Sequence, residues 1–268
     1  MNKSPIKYFL FLIILITLGA SCEKFFTDPG PQPNFVEKLQ YTPMLNVLGV
    51  IRTDNEHGVS NSFVHVEYTT SVTEEYPDSL YIYDANVMVY SLDNEVIADS
   101  CFFQYTSFDS VFDFQEYRSG IFRPKAGQKY LLKCQYPGYP TLTATTTVPE
   151  KPVLLTETIK TENNNFSFSI KRDTDAILYE VYLWIGDRAY QTKALRPEAG
   201  DISVTLEIGK FKPLRGWLLI YAYDKNMSNY LTSNITIKPN TYLPSFSTVE
   251  NGYGCFGSLN YLLQEVAF

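Results

Sequence analysis

Two histidines, four cysteines and scattered carboxylates are the residues of this 268-residue chain most able to do chemistry. His57 lies in the turn-like stretch Asp54-Asn55-Glu56-His57-Gly58, and His65 shares a strand face with Glu67. His57, His65 and Glu67 are metal ligands by type. No H-E-x-x-H or comparable spacing gathers them, so solvated loop and strand positions are expected instead. A Ser-His-Asp triad lacks the G-x-S-x-G elbow that would expose its nucleophile. Glu74-Glu75 and the pair Asp109 and Asp113 have the residue types of glycosidase carboxylates. They read as exposed acidic residues. Gly252 and Gly254 do not join a strand to a helix, so no phosphate loop is expected. The chain is read as non-enzymatic, with no cofactor and no metal site.

Cys22 carries the sharpest chemical expectation. It follows a basic start (Lys3, Lys7), an apolar run from Tyr8 to Leu18, and the small residues Gly19-Ala20-Ser21. A charged start, a short apolar core and small residues before a cut mark a secretion signal. The run is shorter than the about 20 residues that a bilayer span needs, which weighs against an uncleaved anchor. A soluble secreted protein cut near Ala20 is the other alternative, but the small residues end on a cysteine. Gly19-Ala20-Ser21-Cys22 resembles the lipobox of bacterial lipoproteins, in the looser form of the Bacteroidota, with Leu18 one place further out than usual. The resemblance implies a diacylglycerol on the Cys22 thiol and an acyl chain on its amine. Each buried methylene adds about 0.8 kcal/mol, so several chains anchor stably. Glu23 and Asp28 are similar to the acidic surface-export signal of such lipoproteins. The expected location is the outer membrane at the cell surface, with its periplasmic face as the alternative.

The remaining thiols are Cys101, Cys134 and Cys255. Their spacings fit no zinc pattern. Cys101 alternates with Phe103 and Tyr105, and Cys134 with Leu132 and Tyr136, so both are expected to face inward. A Cys101–Cys134 bridge and two buried free thiols are both compatible with that reading.

Aromatic residues are abundant, with 21 Tyr and 18 Phe. They cluster in Phe102-Phe103-Gln104-Tyr105 and from Phe108 to Tyr117. Exposed aromatics in a loop could stack on sugar rings or dock on a partner. Tyr105, Phe108, Phe112 and Tyr117 are the expected ligand or partner contacts; the plainer alternative puts half of these rings in the core. Twenty-two basic residues against 29 acidic ones give a net charge of −7, and no long basic stretch exists. Nucleic-acid binding, which relies on clustered Lys and Arg, is not expected.

These residues are positioned by strands. Met44 to Ile51, Phe63 to Tyr68, Asp84 to Tyr90, Val96 to Ala98, Gly120 to Phe122, Lys129 to Tyr136 and Thr141 to Val148 all read as strands. Leu92-Asp93-Asn94-Glu95 reads as a hairpin turn. Pro149-Glu150-Lys151-Pro152 interrupts pairing and marks a boundary. The pattern then restarts at Phe166 to Ile170, Ile177 to Ile185, Ile202 to Ile208 and Trp217 to Tyr223, the last apolar on both faces and therefore expected to be central. Asn226 to Leu231 reads as one helical turn or a loop. The expected organisation is a signal peptide over 1–21, a lipidated Pro-rich tether over 22–42, and two β-sandwich domains over 43–149 and 150–268.

The combination resembles the Bacteroidota outer-membrane lipoproteins known as a domain of unknown function. It rests on the signal and on Leu45 to Ile51, Asp84 to Val89, Ala126 to Leu132, Thr146-Thr147-Val148-Pro149 and the close Asn251-Gly252-Tyr253-Gly254-Cys255-Phe256-Gly257. The resemblance implies an all-β fold of two tandem sandwiches, immunoglobulin-like or carboxypeptidase-regulatory-like and then fibronectin-type-III-like. It also implies an outer-membrane barrel, a TonB-dependent transporter, as partner. Two roles are expected: accessory or binding partner of such a transporter, or a surface module binding glycans or peptides through the aromatic segment.

Overall fold

Alternating apolar residues build the first half of the protein. The computed structural model describes residues 43–56, 58–69, 80–107, 115–209, 215–233 and 247–268. Strand β1 (Leu45–Arg52) turns Leu45 and Val47 inward, and short β2 (Asn55–Glu56) and β3 (Val59–Ser60) form a ribbon after it. β4 (Phe63–Tyr68) buries Val64 and Val66. β5 (Asn86–Asp93) and β6 (Val96–Ser107) form the expected hairpin. Its central residues Asn94 (φ 48°) and Glu95 (φ 66°) are both left-handed, as a turn matched to strand twist requires. β7 (Gln115–Arg118), β8 (Lys129–Gln135) and β9 (Leu142–Thr147) complete this half.

One expected strand is absent. Gly120 to Phe122 forms a turn, with Ile121 84% exposed and Phe122 in the core against Phe103 and Tyr130. Its carbonyls are taken by a side chain instead of a ladder: the Arg123 guanidinium donates to the Gly120 and Phe122 carbonyls, 2.8 and 2.7 Å away.

The second half is a three-on-four sandwich. β10 (Leu154–Glu162), β11 (Asn165–Ile170) and β14 (Ile202–Glu207) form a three-stranded sheet. It faces β13 (Arg188–Leu195), β12 (Leu178–Ile185), β15 (Arg215–Tyr223) and β16 (Gly252–Ala267), in that spatial order. Phe166, Phe168, Val181, Leu183, Val204, Leu206, Leu218 and Ile220 fill the space between. Burial of each such side chain is worth about 1.5–3 kcal/mol. The protein is an all-β sandwich fold with one helix described, α1 (Lys225–Thr232). No described helix is long and apolar enough to cross a membrane.

β16 ties the halves together. Its second part runs antiparallel to β15, from Leu259 opposite Tyr223 to Ala267 opposite Arg215. Its first part runs parallel to β1, from Gly252 opposite Leu45 to Leu259 opposite Arg52. The result is one eleven-stranded sheet, ordered β13-β12-β15-β16-β1-β4-β7-β6-β5-β8-β9. Phe256 on β16 is fully buried in the core of the first half. The sheet returns on itself where Thr143 of β9 and Glu250 exchange backbone hydrogen bonds of 3.2 and 2.8 Å. Glycine makes this approach possible: a Cβ on Gly254 (φ 107°) would sit 2.0 Å from the Val47 carbonyl oxygen.

Candidate functional site

The aromatic segment after Phe102 is strand wherever it is described. Cys22, His57, Phe108 and Phe112 lie outside the described residues, as do Glu74, Glu75, Asp109 and Asp113. Tyr105 is half-buried on β6, with its ring edge-on to Tyr83 and to Tyr117 at 5.1 and 5.8 Å. Tyr117 corrects the expectation of a contact residue. It is 2% exposed, and burial pushes its phenol up to about 12. Its hydroxyl donates to the Ile82 carbonyl (2.7 Å) and accepts from the Ala85 amide (2.9 Å), so it staples the 82–85 loop to β7. The ring faces inward because β7 pairs on both sides and Tyr117 opposes Val64 across the ladder.

His65 and Glu67 meet on one face of β4, as their spacing implies. Imidazole Nε2 lies 3.0 Å from Glu67 Oε1, and Nδ1 lies 2.8 Å from the Gln115 carbonyl. Both ring nitrogens therefore have protein partners. Among the described residues, no group of three or more His, Cys, Asp or Glu side chains could hold a metal ion. Cys101, Cys134 and Cys255 are all free thiols. Cys101 and Cys134 flank β5 from opposite sides, on β6 and β8. Two strand spacings, about 10 Å, exceed the span of a disulfide.

One exposed aromatic surface was not anticipated as a site. The outer face of the four-stranded arm carries cross-strand rows read from the register. One row is Gln191, Tyr182, Leu219 and Leu263; the next is Ala189, Trp184, Trp217 and Glu265. Trp217 and Leu263 are each 52% exposed. Tyr182 and Trp184 lie 5.8 Å apart with planes 11° from parallel, and Tyr221 packs edge-on to Tyr182. At the border Glu180 is buried and accepts from Gln191 (2.8 Å) and Tyr223 (2.9 Å), with the Lys193 ammonium at 3.4 Å. Trp217 to Tyr223 is central in the sheet, as expected, but one of its two apolar faces lies open. The signal was present in Tyr182 and Trp184 and in Trp217 and Leu219: large apolar residues on the face that the sandwich does not use.

A second unusual feature is polar and buried. Asp224 caps α1, its Oδ1 accepting from the Met227 amide (2.8 Å) and the Ser258 amide (3.1 Å). Its Oδ2 lies 2.6 Å from the Thr146 hydroxyl. Asn226 donates to the Thr145 and Phe256 carbonyls, and Asn260 to the Pro149 carbonyl. β9, α1 and β16 thus meet in one hydrogen-bonded seam. Burial pushes the Asp224 carboxyl upward from its ordinary value, against the pull of its hydrogen bonds.

Fold and surface together define a β-sandwich protein with an open aromatic sheet face. The family model described as a domain of unknown function, DUF4249, matches residues 33–195, and the chain belongs to that family. No curated protein sequence matches the chain. Among solved structures, the FN1–FN3 domains of chicken CNTN1 are 14% identical, with 84% of this chain and 66% of that chain covered and a TM-score of 0.30. A 1.5-MDa bacterial ice-binding adhesin is 11% identical over 82% of this chain and 62% of that one, with a TM-score of 0.20. The chain therefore covers less than two thirds of the length of either structure.

Proposed function

We propose that this protein is a non-enzymatic lipoprotein of the outer membrane, anchored through Cys22, that binds a TonB-dependent transporter as its accessory partner. The single observation that carries the binding role is the open face of β12, β15 and β16, with Trp217 and Leu263 half exposed beside Trp184, Tyr182 and Tyr221. Aromatic side chains are enriched at the cores of protein interfaces, and contiguous exposed apolar patches mark interaction sites. A sheet face built before binding suits a docking role, because a preformed surface spends little entropy on ordering. The membrane address comes from the signal ending at Cys22, and the transporter from the family resemblance. The test is recovery of a barrel with the tagged protein in mild detergent, repeated with Trp217→Ala. Repeated failure to recover any barrel would reject the reading.

A second reading is surface binding of glycans, favoured by one observation. Gln191 donates to the Tyr182 hydroxyl at 3.1 Å, putting a planar amide beside the rings. Rings that stack on sugar faces beside such an amide suit carbohydrate. A glycan array run with Trp217→Ala and Tyr105→Ala separates this face from the aromatic residues of β6. No binding, or binding unchanged by both substitutions, would remove this reading.

A further inference from the structure

Three close contacts run in series through the buried seam. Asp224 Oδ2 lies 2.6 Å from Thr146 Oγ1, Thr146 Oγ1 lies 2.9 Å from Ser258 Oγ, and Ser258 Oγ lies 2.8 Å from the Thr147 carbonyl. Each has hydrogen-bond length and needs one proton. The two hydroxyls bring one donor each and the carbonyl brings none. Two protons cannot serve three bonds. We propose that Asp224 supplies the third as a neutral carboxylic acid, making the seam between β9, α1 and β16 a proton-dependent clamp on the two halves of the fold.

With the acid protonated, every contact is satisfied. Oδ2–H donates to Thr146, Thr146 to Ser258, and Ser258 to the Thr147 carbonyl. Oδ1 stays a carbonyl oxygen and accepts from the Met227 and Ser258 amides, 2.8 and 3.1 Å away. With the acid ionised, one oxygen–oxygen contact has no proton between its lone pairs. The surroundings pull both ways: the amides and the hydroxyl at the N-terminus of α1 favour the charge, and burial opposes it. Asp224 is 4% exposed, Thr146 4% and Ser258 fully buried. β9 presents Thr145, Thr146 and Thr147. β16 presents Cys255, a thiol that burial pushes up to about 12. Tyr223, the preceding residue on β15, turns its hydroxyl to Glu180, and Lys225, the following residue, is exposed. Burying an unpaired charge is costly, and neutralisation is the usual escape.

A group that holds its proton more tightly when folded stabilises the fold fully below its unfolded value and loses that contribution as pH rises. The test is denaturant unfolding of the full chain and of Asp224→Asn from about pH 5 to 9. Asn keeps the donor toward Thr146 and the acceptor toward the amides, with no proton to lose. The unfolding constant of the wild type relative to Asp224→Asn is expected to rise with pH, by up to tenfold per unit. A ratio that falls or stays flat would overturn the proposal. An infrared measurement keeps it falsifiable if the variant folds poorly. The wild type is expected to show a protonated-carboxyl stretch at neutral pH, assigned by carbon-13 labelling of aspartate. Its absence would overturn the proposal as well.

Discussion

The Tyr223 hydroxyl donates to Glu180 Oε2 at 2.9 Å, diagonally across the ladder between β15 and β12. Both side chains are nearly buried, at 6% and 8% exposure, and they close the inner border of the open aromatic face. Burial, with the neighbouring Glu180 charge, pushes the Tyr223 phenol strongly upward, so the tyrosine remains a donor across the working pH range. Tyr223→Phe removes one donor from Glu180 and leaves it Gln191 and the Lys193 ammonium among its remaining partners. Loss of one hydrogen bond to a buried charge costs about 1–3 kcal/mol. Equilibrium urea unfolding reads that loss directly, and a change below the resolution of the method would show that the pair is not structural.

β16 makes the strongest stability prediction. Gly254→Ala would place a methyl group 2.0 Å from the Val47 carbonyl oxygen at a φ that disfavours any side chain. Backbone must move, and the parallel pairing with β1 is lost. Phe256→Ala empties a fully buried position in the first core and is expected to cost about 3–5 kcal/mol. Because β16 also pairs with β15, a single cooperative transition is expected for the wild type. Calorimetry checks this: both variants should lower the melting temperature of the whole transition.

These strands show what could and could not be read from sequence. Phe63–Tyr68 and Ile202–Glu207 were legible because their residues alternate between faces, a period-two signal that burial reproduces, and Leu45–Arg52 was legible as an apolar run long enough for a buried strand. β13 was not, because an edge strand pairs on one side and carries Gln191 and Lys193 outward. β16 was hidden by its glycines, whose purpose is tertiary: they admit β1 and α1 at close range. The turn before β11 was also readable in principle, since Asn163 (φ 50°) and Asn164 (φ 67°) are residues that tolerate left-handed backbone. The aromatic face needed the register: only pairing across β12, β15 and β16 brings Trp184, Trp217 and Leu263 onto one side.

The thiols should react in a fixed order. Cys134 and Cys255 are buried, and burial pushes both up to about 12, so little thiolate forms at neutral pH. Cys101 is half exposed, with its sulfur 3.1 Å from the Ser119 hydroxyl. Alkylation of native protein followed by mass spectrometry should label Cys101 first, and Cys134 and Cys255 only after unfolding. Rapid native labelling of Cys134 would contradict its place in the first core.

Asp224→Ala should be far more damaging than Asp224→Asn. Alanine removes the helix cap, worth about 0.5–2 kcal/mol, and strips partners from the Met227 and Ser258 amides and the Thr146 hydroxyl. Asparagine can replace all of these bonds. Parallel thermal melts of the two variants at one pH give the comparison; equal losses would mean that the seam does not depend on this side chain's hydrogen bonds.

The central claim is that the open face of β12, β15 and β16 docks the protein onto an outer-membrane barrel. The most direct measurement is quantitative co-purification from detergent-solubilised membranes, using wild type and a Trp217→Ala, Leu263→Ala double variant. Both side chains are half exposed, so the variant should keep the wild-type melting temperature. The account predicts a TonB-dependent barrel recovered with the wild type and depleted at least tenfold with the variant. No barrel with the wild type, or equal recovery with both proteins, would contradict it.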